Sequence, residues 1–313
     1  MAHLVKLEDY VSRYELDMYR YPSQLVRLKK ERWKRMQAEW GHHDNQLNES
    51  IEDAYEVTAE GETKPLWKSL SRIKSWLPFQ RGNGKKIDEV NVKSEKPSSY
   101  RSSEQALKQA FLDEIFHFQI SWASSTITEK SRVKKAYYHD PWLSRFVKEC
   151  PDNMFLFYYP IFQSNKAPIE LDILLVTPTD IQMIVPLPGD DQTIYRYESE
   201  RYWVKEVGED RQRILNPMIR LKRMRTVISP ILQEIGSDIR LKGVFLAQDS
   251  FIDRVDVHPT VRHIDKRSLY QWRQSLIRHG SPVKHNQLKA VEHLLFHCMT
   301  TTDKSENSDD EDF

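Results

Sequence analysis

In the stretch IELDILLVTPTDIQMIVPLPGDD (169–191), Glu170 and Asp172 stand two residues apart. On a β-strand that spacing puts both carboxylates on one face. Paired acids of this kind are hard oxygen ligands for Mg²⁺ or Mn²⁺. A metal so held lowers the pKa of a bound water and clamps phosphate oxygens during phosphodiester cleavage. The chemistry needs a further carboxylate and a lysine, the lysine offsetting charge that develops on the phosphorane. Glu-x-Lys on the neighbouring strand would present both on one face. The second apolar run, after the Thr-Pro-Thr-Asp turn, offers Val185 and Leu187 there instead.

Other residues could bind or react. The stretch RQRILNPMIRLKRMR carries Arg211, Arg213, Arg220, Lys222, Arg223 and Arg225 with no acid among them. Such a stretch supplies the nonspecific, salt-sensitive part of affinity for DNA or RNA, or it is the solvated face of an amphipathic helix. EHLLFHC places His293 and His297 at helical i, i+4 spacing beside Cys298. It lacks the glutamate that directly follows the first histidine in a zincin, so the reading is a packed helix with surface histidines. Cys150 has no His/Asp partner pattern and reads as a plain thiol. The nine glycines of the chain include no phosphate-cradling loop.

The elements that must position these groups follow from periodicity. Residues 1–40 read as a helical arm broken at Pro22, its second helix capped at Ser23 and strongly basic on the outside. From 41 to 100 regular periodicity is lost, as in a linker. Within it, 64–79 forms an amphipathic basic segment with Trp67 and Trp76, suited to a partner groove, an anionic surface or its own domain. A helix begins near Ser102 and includes Glu104. MFLFYYPIF is a strand, and the 169–188 region is a hairpin. TIYRYESERYWVKEV gives further strands, and Asn216-Pro217 caps and starts a helix with an apolar stripe. LKGVFLAQ is a buried strand, SLYQWRQSLIRH a helix, and 281–300 a last helix before the acidic tail 301–313. Such a tail solubilises, docks a partner or shields a basic groove. The order predicts an α/β fold, a mixed sheet flanked by helices.

At 313 residues, 39% hydrophobic and 30% charged, the chain can bury a substantial core. Two cysteines make no disulfide framework or zinc pattern, and no run approaches the roughly 18 apolar residues of a membrane span. With no apolar leader at the N-terminus, a cytoplasmic location is expected.

On these residues the segment 101–280 resembles the NERD (nuclease-related) domain, a branch of the PD-(D/E)XK nuclease-like fold. Glu104 matches the family's helix glutamate, and IELD puts Glu170 and Asp172 on its acidic pair. ILLVTPTD matches its strand and turn, Trp203 its tryptophan, and Asn216-Pro217 its Asn-Pro helix start. The resemblance covers a little over half the chain. It implies catalysis by Glu104, Glu170 and Asp172, with metal on Asp172 and Glu104. The family's Glu and Lys fall on Val185 and Leu187, and its helix glutamine on Arg220. With those groups replaced together, the expectation is a nuclease-related protein without catalysis and without a cofactor. It would bind DNA or RNA through Arg211, Arg213, Arg220, Lys222 and Arg223, or bind a nucleic-acid-processing partner. Two alternatives stand beside it. One is an active Mg²⁺ or Mn²⁺ nuclease rebuilt with Asp190 or Asp191 and with Lys222 or Arg220. The other is a protein-interaction scaffold docking through the Trp67 and Trp76 segment.

Overall fold

Short, almost continuously apolar runs make the strands of the main sheet, because a strand covered on both faces has no polar side to present. The computed structural model describes residues 1–52, 104–164, 167–253, 261–278 and 280–301, with side chains omitted for 41–52. In chain order the elements are β1 (His3–Leu7), α1 (Tyr21–Glu52), α2 (Glu104–Trp122), α3 (Pro141–Glu149), β2 (Phe155–Tyr158), β3 (Ile161–Phe162) and β4 (Ile169–Glu170). Then come β5 (Ile173–Val176), β6 (Asp180–Pro186), β7 (Thr193–Tyr197), β8 (Tyr202–Val207), β9 (Asp210–Leu215) and α4 (Pro217–Glu234). The last are β10 (Arg240–Leu246), β11 (Phe251–Ile252), β12 (Val261–Ile264), α5 (Leu269–Ile277) and α6 (His285–Phe296). The chain divides into two compact units, Met1–Arg32 with Gln109–Phe313, and Trp33–Lys108. The described part of the second unit holds the continuation of α1 and the first residues of α2.

The six-stranded sheet has the order β1-β2-β5-β6-β10-β12. Only β5 runs against its neighbours; β1 pairs parallel to β2, and β6, β10 and β12 are mutually parallel. Side chains alternate between two cores. Phe155 and Phe157 of β2, and Ile181, Met183 and Val185 of β6, meet Leu221, Met224 and Ile228 of α4 and Val291, Leu294 and Leu295 of α6. Leu156 of β2 and Ile184 of β6 face the other way. They lie in a core shared with Phe116 and Ile120 of α2, Leu143 and Phe146 of α3, and Trp272 of α5. The fold is therefore α/β, a mixed sheet with helices on both faces, as the element order predicts. A second sheet, β11-β7-β8-β9, and a ribbon of β3 and β4 complete the strands.

Several expectations are corrected. The start of the chain is not helical: β1 is a fully buried edge strand of the main sheet. Its Lys6 is drawn inside, where Nζ reaches Glu15 at 2.7 Å, the Tyr10 carbonyl at 2.7 Å and Thr300 Oγ1 at 2.8 Å. Pro22 does not break a helix but lies in the first turn of α1, where a missing N–H costs no bond. That helix continues to Glu52, past the expected linker start at residue 41. The basic run 211–215 belongs to strand β9. Trp67, Trp76 and most of the 301–313 tail lie outside the described residues. Among the described residues, no helix is long and apolar enough to cross a membrane.

Candidate functional site

The strand directions bring the carboxyl ends of β1, β2, β6, β10 and β12 to one edge of the main sheet, together with the start of β5. In open α/β sheets that edge is where ligands bind. Asp172 stands there, one residue before β5, and it is buried. Across from it, Asn216 caps α4 by accepting the Met218 N–H at 2.9 Å, and Pro217 fixes the first helical φ. A helix begun in this way carries Arg220 one turn in. Its guanidinium pairs with the Asp172 carboxylate and donates to the Pro186 carbonyl at 3.4 Å, at the end of β6.

Burial pushes the Asp172 carboxyl above the usual carboxylate range, while Arg220 and then Arg223 pull against that rise. Tyr159, whose φ of 50° is in the left-handed region, follows β2 at the same edge. Burial, reinforced by the Asp172 charge, pushes its hydroxyl up to about 12. The site is thus one buried anion met by one arginine beside a protonated phenol.

The other expected residues are dispersed. Glu170 and Asp172 do not share a strand face. Glu170 ends β4, pairs across the ribbon with Ile161 and is exposed, whereas Asp172 lies past the point where the chain leaves the ribbon for the main sheet. Val185 (0% exposed) and Leu187 (3%) sit in the core beneath α4. Glu104 is the first residue of α2 and belongs to the other unit. Asp190 accepts from Thr193 Oγ1 at 2.8 Å and from the Gln192 N–H at 3.1 Å, and these bonds hold it below the usual carboxylate range. Asp191 pairs with Lys266 at 3.3 Å. Of the relocated groups considered, only Arg220 reaches Asp172.

The basic stretch also divides. Arg211 pairs with Glu206 at 3.1 Å; Arg213 pairs with Glu198 at 2.8 Å and lies over the Tyr202 ring. Lys222, Arg223 and Arg225 are exposed on α4. Two arrangements had no readable signal because their partners are distant in sequence. Asp180 at the start of β6 pairs with Lys242 of β10 at 2.6 Å. Glu234 at the end of α4 meets His293 and His297 of α6 at 3.0 and 3.5 Å. Among the described residues, this is the one group of three or more His, Cys, Asp or Glu side chains whose ligand atoms all lie within 4.8 Å of one another. Asp172, Glu170 and Glu104 form no such group.

An RNA 2',3'-cyclic phosphodiesterase from Geobacillus stearothermophilus is 36% identical to this chain over 126 residues, which cover 38% of the chain and 36% of that protein. The chain thus spans only about a third of the relative's length. No family model matches the chain, and no solved structure does.

Proposed function

We propose that this is a nuclease-related protein of NERD and PD-(D/E)XK type that binds nucleic acid, or a partner that processes it, without cutting it. The observation that carries the reading is the ion pair of Arg220 with buried Asp172, at the edge where the family's metal would sit. A metal-dependent cut needs several carboxylates around a water-bearing ion. Here the remaining acid already has a permanent cation, and Val185 and Leu187 supply core contacts in place of ligand and lysine. Arg220 stands where the resemblance puts a glutamine, so the change that closes the site is on the helix as well as on the strand. The exposed Lys222, Arg223 and Arg225 of α4 supply phosphate contacts near the same edge. The similarity to an RNA 2',3'-cyclic phosphodiesterase supports RNA as the first ligand to test.

A second reading rests on the same pair. An arginine beside an acid can stabilise charge on a phosphate, so Arg220 would then replace the lysine of an active Mg²⁺ or Mn²⁺ nuclease. One experiment separates the two. Labelled single- and double-stranded RNA and DNA, including RNA ending in a 2',3'-cyclic phosphate, are incubated with the protein in Mg²⁺, Mn²⁺ or EDTA. Cleavage and mobility shift are scored for the wild type and for Asp172→Ala. Binding without cleavage supports the leading reading. Metal-dependent cleavage that Asp172→Ala abolishes establishes the second. Absence of both moves the search to protein partners.

A further inference from the structure

Two helices end at one place on the surface. Gly236, at φ +60°, closes α4 by donating its N–H to the Gln233 carbonyl at 3.0 Å, and Ser237 donates to Leu232 at 3.0 Å. This is a glycine-terminated helix end, which caps carbonyls of the last turn. It leaves Glu234 at the final residue of α4. Helix α6 ends beside it, with His293 in its last turn and His297 as its C-cap. The negative ends of two helix dipoles therefore converge on the three side chains, which favours a cation there.

The spacing of the carboxylate oxygen from each imidazole nitrogen is that of a metal site. Zinc bound to nitrogen or oxygen at about 2.0–2.1 Å in tetrahedral geometry holds its ligands about 3.3 Å apart. Glu234 Oε2 lies 3.0 Å from His293 Nε2 and 3.5 Å from His297 Nε2. The ring orientation fits as well. His297 Nδ1 donates to the His293 carbonyl at 2.9 Å, which leaves Nε2 as the ring atom facing the carboxylate. A carboxylate oxygen and two imidazole nitrogens this close call for a cation among them, either a proton or a metal. The Nδ1–H to backbone carbonyl bond is also the outer contact that orients ligand histidines in metal proteins.

The neighbouring charged groups have partners of their own. Lys289, one turn earlier on α6, donates to the Ile235 carbonyl at 3.3 Å, beside Glu234 at the end of α4. Glu292 accepts from the Tyr19 hydroxyl at 3.3 Å. Cys298, next in sequence, is not a ligand. Its thiol is buried, donates to the Leu294 carbonyl at 3.3 Å, and is pushed up to about 12 by burial. His293 also lines a surface cavity of about 590 Å³ with Tyr14, Met18, Glu292 and Phe296. Glu234 and His297 do not line that cavity, so a fourth coordination position would be taken by water.

We propose that Glu234, His293 and His297 form a Zn²⁺ site with an open fourth position. Mixed nitrogen and carboxylate donors suit Zn²⁺ and Co²⁺, not Mg²⁺.

The test is Zn²⁺ titration calorimetry on the untagged full chain, together with Co²⁺ absorption as a report of tetrahedral geometry. One equivalent of Zn²⁺ is expected to bind the wild type. Glu234→Gln, His293→Ala and His297→Ala should each weaken binding at least about tenfold. His285→Ala, at the far end of α6, should not. All four are surface changes, and circular dichroism confirms that each variant is folded. No binding by the wild type overturns the proposal. So does equal binding by Glu234→Gln, which would leave only a histidine pair, or an equal loss in His285→Ala.

Discussion

Arg220 on α4 closes over the carboxylate of Asp172 at the head of β5, so this buried acid at the carboxyl-end edge of the main sheet is already paired from within the chain. The pair is asymmetric: the Asp172 side chain is 7% exposed and that of Arg220 is 38%. Removing the arginine strands a buried anion, whereas removing the anion leaves a cation that water can still reach. Arg220→Ala should therefore cost about 2–3 kcal/mol at neutral pH. That cost is below the one for a fully enclosed pair because Arg220 is partly hydrated. Asp172→Asn should cost less.

The pH dependence follows from the direction of the Asp172 shift. Its folded value is raised, so the unfolded chain loses this proton first as pH rises from about 4. The ionised carboxylate then costs stability through the window up to the folded value, with Arg220 limiting the cost. The penalty of Arg220→Ala should grow with pH across that window, and Asp172→Asn should become relatively more stable. Urea denaturation at about pH 4 and pH 7 measures both. A penalty that shrinks as pH rises would show that the carboxylate is not the group Arg220 serves.

On the proposed reading, installing the glutamate and lysine of the resembled family should not create a nuclease. Val185→Glu and Leu187→Lys would insert charge into the core that includes Phe245, Leu221 and Met224. Each is expected to destabilise by several kcal/mol, and the pair together to prevent folding. Thermal melting of the single variants is the check. A folded Val185→Glu that gains Mg²⁺-dependent cleavage would sink the closed-site reading.

Part of the fold was legible, and the failures have physical causes. The hairpin of β5 and β6 announced itself by apolar runs around a Pro-containing turn. Asn216-Pro217 fixed the start of α4, and its stripe of Leu221, Met224, Ile228 and Ile231 is the buried one. Strand β1 was hidden because it is short and carries a buried lysine, and because its partner β2 lies far along the chain. The β4–β5 break was hidden because a period of two continues across Leu171 whether or not the strand does. Glu234 was missed as a partner of His293 and His297 because only the packing of α4 on α6 brings them together. Pairings of that kind leave no local periodicity.

The exposed cations of α4 make a quantitative prediction about binding. Removing one phosphate-binding cation should reduce the slope of log affinity against log salt by about 0.7–0.9. Lys222→Ala with Arg223→Ala should therefore flatten the slope for RNA or DNA by about 1.4–1.8 and weaken binding uniformly across sequences. Arg211→Ala should change it little, because Arg211 is engaged with Glu206. Filter binding between about 50 and 200 mM salt reads both. An unchanged slope in the double variant would remove α4 from the interface.

At the opposite edge of the sheet, Asp180 and Lys242 give the converse pH response. They are diagonal neighbours on β6 and β10, since Asp180 is in register with Arg240 and Lys242 with Gln182. Burial works to raise the Asp180 carboxyl, but the Lys242 ammonium at 2.6 Å and the Thr179 and Thr177 hydroxyls outweigh it and hold it below the usual range. A depressed folded value means that stability is present above the ordinary Asp value and lost as pH falls through the folded one. Lys242→Met should therefore cost about 2–3 kcal/mol at pH about 7, where Asp180 is ionised and loses its cation. The cost should shrink once the pH falls below about 4 and the carboxyl protonates. Lys242 is partly exposed, so the upper end of that range is the limit. Denaturant midpoints of wild type and variant at neutral and acid pH give the difference directly. If the penalty were the same at both, the ammonium would act through packing of its methylene stem and not through the charge of Asp180.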